Sequence, residues 1–225
     1  MSIGPRSTST PNGRPPISTR APQPIAFPIR DELQVRGIVW PGGPDTVLLL
    51  HDVGQDLDVW GSLPATLASR NYRVLAIDLP GHGLSDEPWE PDRAPGILAT
   101  VIAASRSDAG GKVFVISIGL MTAAAGTQAI DALIAISPRT PESQSRELAT
   151  APCLIFAGGA DPEAKTAADR FFRGRRGWTV VSSFGVAENG PALLTSAWAG
   201  QLSEQILAFL RDYRTAQTPD SGGRA

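Results

Sequence analysis

The sequence predicts an α/β protein, a mostly parallel central sheet flanked by helices on both faces. Three observations carry this expectation. Short apolar runs without polar alternation recur along the chain, as in T-V-L-L-L (Thr46 to Leu50), Y-R-V-L-A-I-D (Tyr72 to Asp78) and V-F-V-I (Val113 to Ile116); strands of this kind are buried on both faces. Between them lie segments with apolar residues at helical spacing, such as Leu57, Trp60, Leu63 and Leu67. Strands that alternate with helices in this rhythm need crossover connections, and those give a parallel sheet.

Taken in order, the first 24 residues are rich in Pro, Ser, Thr and Arg and lack the continuous apolar core of a signal peptide, so residues 1–24 read as a disordered leader. A single domain is expected over residues 25–213, and a polar tail over 214–225. The domain opens with a hairpin, Ile25 to Ile29 and Leu33 to Trp40, joined by the polar Arg30-Asp31-Glu32. It is stopped by Pro41-Gly42-Gly43-Pro44. The first buried strand, Thr46 to Leu50, leads into His51-Asp52-Val53-Gly54 and a helix over Leu57 to Arg70, in which Pro64 is tolerable only near a helix start or at a break. After the strand ending at Asp78 come Leu79-Pro80-Gly81-His82-Gly83 and a helix from Arg93 to Ser105. The strands Ile130 to Ser137 and Cys153 to Ala157 are separated by Pro138 to Thr150, a polar link too short for a cap domain. Glu163 to Arg173 is a helix, Trp178 to Phe184 a strand, and Ala192 to Tyr213 one terminal helix with Leu193, Leu194, Trp198, Leu202, Ile206 and Leu210 on its apolar side.

The most informative stretch is K-V-F-V-I-S-I-G-L-M-T-A-A-A, Lys112 to Ala125, where a buried strand passes at once into alanines. This is the form of a nucleophile elbow, which exposes one side chain on a sharp strand-to-helix turn and needs small residues two before and two after it. Two registers fit. With Ser117 as nucleophile, Gly119 is the small residue after it and bulky Val115 stands two before. With the strand at its usual length, Ser117 is the small residue and Gly119 takes the nucleophile position, with Met121 on the far side.

T-V-L-L-L-H-D-V-G, W-G-S-L-P-A-T-L-A, Y-R-V-L-A-I-D-L-P-G-H-G-L-S-D, I-D-A-L-I-A-I-S-P, L-I-F-A-G-G-A-D-P and A-E-N-G-P-A-L-L follow one another in this order, and together they resemble the α/β-hydrolase family over Ile25 to Tyr213. The resemblance is to small, lidless esterases and lactone hydrolases. It implies a nucleophile, an acid and a histidine in that chain order. Carried over, the acid falls on Asp161, which would also serve as a helix N-cap before Pro162. The histidine position falls on Asn189, beside Gly190. Histidine occurs only at positions 51 and 82, so none follows Asp161. Asparagine cannot accept and return a proton, and a hydroxyl without a base is a poor nucleophile. The resemblance therefore implies a degenerate triad, with Gly119 at the nucleophile position and Asn189 at the base position. The backbone N–H groups of Val53 and Leu120 would form the oxyanion hole and could still receive a carbonyl or carboxylate. His51 stands where the family has a His-Gly pair, a loop-holding role, and Asp52 replaces the glycine.

Three functions follow: a silent hydrolase-fold protein that binds a small acyl or carboxylate ligand or a protein partner; a carboxylic-ester hydrolase using Ser117 with His51 or His82 as a displaced base; or a structural or interaction module whose pocket Met121 and its neighbours fill. A formal charge of -2 gives no reason to expect nucleic acid or an anionic membrane as partner. The lone Cys153 offers no metal cluster, so no cofactor is expected, and it fits a cytoplasmic protein.

Overall fold

The computed structural model describes residues 21–29, 33–86, 88–140 and 150–215. Residues 1–20, the Arg30 to Glu32 link, most of the link after Pro138 that bears on a cap domain, and the end of the tail lie outside the described residues.

Eight strands form one sheet: β1 (Gln23–Pro28), β2 (Gln34–Trp40), β3 (Thr46–Leu50), β4 (Arg73–Ile77), β5 (Val113–Ile118), β6 (Ala132–Ile136), β7 (Cys153–Gly158) and β8 (Thr179–Phe184). Their order across the sheet is β1-β2-β4-β3-β5-β6-β7-β8. β1 and β2 are antiparallel, β2 meets β4 antiparallel, and every pairing from β4 to β8 is parallel. The five strands β3 to β7 are buried almost throughout, which explains why they read as unbroken apolar runs.

Helices cover both faces. α2 (Ala94–Ala109), α3 (Met121–Ala125) and α4 (Pro162–Arg173) lie on one side, where Leu48, Leu50, Val113 and Val115 meet Ile97, Leu98, Val101, Met121 and Phe171. α1 (Leu63–Ala68), α5 (Ala192–Thr195) and α6 (Ala199–Thr215) lie on the other, where Val47, Leu49, Phe114 and Ile116 meet Leu63, Leu67, Leu202, Ile206 and Leu210. Alternate residues of one strand thus feed two separate cores.

Two helices differ from the sequence expectation. Leu57 to Arg70 is divided into a 3-10 turn, Leu57–Trp60, capped by the Asp56 side chain, and α1, because Gly61 between them takes a left-handed φ of 50° and Pro64 sits in the first turn of α1. Ala192 to Tyr213 is likewise two helices. Ser196 is extended, its hydroxyl donates to the Leu193 carbonyl and accepts from the Trp198 N–H, and this local alternative to the helical ladder ends α5. At the ends of the described chain, β1 starts at Gln23, and α6 continues through Arg214, whose guanidinium holds Asp45 at 2.6 Å and lies over the Tyr72 ring. No helix among the described residues is long and apolar enough to cross a membrane.

Candidate active site

The parallel strands deliver their C-terminal ends to one edge of the sheet, and the loops after β3, β5, β6, β7 and β8 converge there. Asp52, Gln55, Gly119, Ser137, Arg139, Asp161 and Asn189, all from these loops, line a cavity of about 300 Å3.

At the turn between β5 and α3 stands Gly119, with φ 57°; its N–H bonds the Ile136 carbonyl, and its own carbonyl accepts from the Arg139 N–H. The backbone at this strand-to-helix turn is left-handed, and glycine adopts that conformation without the cost of a side chain. Ser117 lies two residues earlier inside β5, level with Leu50 on β3 and Ala135 on β6, and is completely buried. Its hydroxyl has no hydrogen-bond partner among the described residues, so no base stands within reach of it. Met121, whose bulk breaks the small-residue pattern, packs into the core on the α2 side.

Asp161 follows β7. One carboxylate oxygen accepts from the N–H groups of Glu163 and Ala164 at 2.9 and 3.2 Å, capping α4. The other accepts from the Asn189 side-chain amide at 2.8 Å. The Asn189 side-chain oxygen in turn accepts from the Gly158 N–H and the Ser137 hydroxyl, and Ser137 also receives the Gly190 N–H at 2.7 Å. Gly119, Asn189 and Asp161 thus share one cavity.

Both histidines are fully committed to backbone. His51 donates from Nδ1 to the Asp52 carbonyl at 2.8 Å and accepts at Nε2 from the Leu79 N–H at 3.0 Å. His82 donates to the Pro80 carbonyl and accepts from the Gly54 N–H, each at 2.8 Å. In this arrangement neither ring has a nitrogen left to take a proton from Ser117. Burial is the main cause that pulls the His51 pKa below 6.5, partly opposed by its bond to the Asp52 carbonyl.

A histidine kept neutral in the fold but protonated in the unfolded chain makes stability fall as pH drops below the unfolded pKa of 6.5. The loss from this residue is bounded by about 1.4 kcal/mol per pH unit and ends once pH passes the folded-state pKa. Urea unfolding of wild type, His51→Gln and His82→Gln between pH 7.5 and 5.5 reads it. The His51→Gln profile is expected to be the flatter one, and a profile as steep as wild type would show that His51 is not the group.

The expectation of an open oxyanion hole is corrected. The N–H groups of Val53 and Leu120 do converge on one point, but both donate to Asp52 Oδ1, each at 2.9 Å. The other oxygen, Oδ2, pairs with the guanidinium of Arg139. The Asp52 N–H is held by the Gln55 side chain at 3.1 Å. The chain's own carboxylate therefore occupies both N–H groups. A Cβ at position 119 would overlap all three atoms of that carboxylate group.

Sequence reasoning noted Asp52 only as a replacement for glycine and missed Ser137 and Arg139. The signal for Arg139 was indirect: a carboxylate at the mouth of a buried loop needs a counter-charge. Nothing local to Ser137-Pro138-Arg139 announced that it would supply one.

An eight-stranded, mostly parallel sheet with helices on both faces, whose loops after β3, β5, β6, β7 and β8 converge on one cleft, is the architecture of the α/β-hydrolase class of protein. The alpha/beta hydrolase family model matches residues 47–222, and the chain belongs to that family. Among curated proteins, the rat putative protein-lysine deacylase ABHD14B is 39% identical over 108 residues, 45% of this chain and 46% of that protein. An AB hydrolase superfamily protein of Gibberella zeae is 38% identical over 87 residues, 38% of this chain and 30% of that protein. The chain spans less than half the length of the curated relatives it matches. In fold it is similar to the Pyrococcus furiosus esterase Pf2001, with TM-score 0.69, 14% identity and coverage of 86% of this chain and 92% of that one. The esterase of Exiguobacterium antarcticum gives TM-score 0.65 at 12% identity, covering 83% and 98%.

Proposed function

We propose that this chain is an α/β-hydrolase family member without serine-hydrolase turnover, whose cleft is retained for binding. The observation that carries the reading is the Asp52 carboxylate in the oxyanion hole. It occupies the two N–H groups that would stabilise a tetrahedral intermediate, and it fills the space into which a nucleophile at position 119 would project. Glycine at the turn and asparagine beside Asp161 are consistent with it, since neither side chain can attack or shuttle a proton. The name of the rat relative speaks of a deacylase; a serine-dependent deacylation here would need a hydroxyl and a base that this cleft does not bring together.

The ligand is accordingly an acyl compound or a protein segment that rests over Ile118, Pro138 and Pro191 with Arg139 at the rim. A carboxylate ligand reaches the Val53 and Leu120 N–H groups only by displacing Asp52, so the hole itself is no longer the anion site. A fluorophosphonate probe and nitrophenyl acetate and butyrate test the reading on the full chain. No labelling and no turnover above buffer are expected. Labelling that disappears in Ser117→Ala would overturn it.

A further inference from the structure

The two edges of the sheet are built differently. β1, at one end, carries Pro24 and Pro28 in its six residues, and a proline cannot donate to an added strand. β8, at the other end, has the sequence T-V-V-S-S-F; from Gly177 to Ala187 there is neither a proline nor a charged residue. Lysines, prolines and bulges are the devices by which a monomer protects such an edge, and β8 has none of them.

The exposed apolar surface collects at the same place. Seven large apolar side chains are exposed among the described residues, and five of them surround this edge: Phe172, Trp178, Val180, Val181 and Trp198. Trp178 enters β8 stacked on Phe209 of α6, and Trp198 lies against the Phe184 ring. Phe172 is in the last turn of α4, close to where Arg175 bonds the Thr179 hydroxyl. The edge is thus apolar on both faces of the sheet.

The backbone fixes which groups are available. The Trp178 and Phe184 carbonyls bond to β7, so residues of that parity face inward, and Thr179, Val181 and Ser183 present their N–H and C=O groups to the free side. An incoming antiparallel strand must pair its own outward residues with these.

We propose that β8 pairs with β8 of a second copy of this chain, antiparallel about a two-fold axis at Ser182, to make a continuous sheet across a dimer. Charge favours a second copy as the occupant. The segment entering β8 is basic, with exposed Arg173 and Arg176, and the segment leaving it carries the exposed Glu188. A two-fold brings the basic end of each copy to the acidic end of the other, so the two ends are complementary in charge. Of the two registers the parity allows near the strand centre, one sets Val181 opposite itself and carries Arg176 towards Val186. The other sets Ser182 opposite itself, Val180 opposite Phe184 and Arg176 towards Glu188, and it is the one the charges select. A stable dimer needs about 800 Å2 from each partner. A strand about 20 Å long does not bury that alone, and the flanking Trp178, Trp198 and Phe172 supply apolar area on both sides of it.

The experiment is sedimentation and light scattering of the purified full chain, with two variants. Wild type is expected at twice the 23.6 kDa chain mass. Val181→Lys, at a position whose N–H bonds nothing among the described residues of the sheet, should be monomeric with an unchanged circular dichroism spectrum. Ser182→Cys should form an intermolecular disulfide on mild oxidation, since directly opposed residues in a non-hydrogen-bonded antiparallel pair are within disulfide distance; the native Cys153 is buried on β7 and does not compete. A monomeric wild type would overturn the proposal and leave the edge to a strand of another protein. A folded Val181→Lys that remains dimeric, or a Ser182→Cys dimer that stays reduced, would overturn it equally.

Discussion

Gly119→Ser is expected to lower the stability of the protein by about 2 to 4 kcal/mol. Two costs add. The backbone at φ 57° is left-handed, which costs a residue with a Cβ roughly 1 to 2 kcal/mol. The new Cβ would also displace the Asp52 carboxylate, which is not free to move: one oxygen holds the Val53 and Leu120 N–H groups and the other holds Arg139. Moving it leaves a nearly buried charge and two backbone donors without partners, each a penalty of about 1 to 3 kcal/mol if unrelieved. Asp52→Gly should relieve much of the second cost, so the two changes together are expected to destabilise by less than their sum, with a coupling of about 1 to 3 kcal/mol. Urea unfolding of wild type, both single variants and the double variant measures the cycle. A Gly119→Ser protein within about 0.5 kcal/mol of wild type would mean that position 119 is not the crowded turn described here.

The second large effect is in activity. The triple variant Asp52→Gly, Gly119→Ser, Asn189→His is expected to hydrolyse nitrophenyl butyrate at least about a thousand-fold faster than wild type, since nucleophile and base act as a unit worth several orders of magnitude. Each change has a defined task. Glycine at 52 frees the Val53 and Leu120 N–H groups to meet an oxyanion. Serine at 119 supplies the nucleophile. Histidine at 189 inherits the place of an amide that already donates to Asp161 at 2.8 Å, so the carboxylate that would orient the imidazole is in position. The Gly119→Ser, Asn189→His double variant should remain silent, because Asp52 still blocks the hole. A folded triple variant no faster than Asp52→Gly alone would remove the assignment of Gly119, Asn189 and Asp161 to one ancestral triad.

Much of the fold was legible because each level of the sequence pointed the same way. Buried parallel strands must be apolar on both faces, so Thr46–Leu50, Val113–Ile118 and Ala132–Ile136 declare themselves without any alignment. The helices were less legible. Their apolar spacing continues straight through Gly61 and Ser196, and only the backbone conformations at those two residues show that each run is two elements. Pro64 was a hint of the first break; Ser196 gave none, because its effect depends on a hydroxyl finding the Leu193 carbonyl and the Trp198 N–H together.

The sequence by itself determined which chemical groups are available to the cleft. No fold can place a histidine after Asp161 in a chain that has none there, and residue identity is independent of packing. What only the tertiary structure decided is which of those groups meet in the cleft. Asp52, Leu120 and Arg139 are separated by 68 and 19 residues along the chain, in loops after three different strands, and no local pattern relates them. They meet because β3, β5 and β6 are neighbours that end at the same edge of the sheet, so that a carboxylate from the first loop reaches an N–H of the second and a guanidinium from the third. That convergence is a property of strand order, which the sequence encodes only through the fold as a whole.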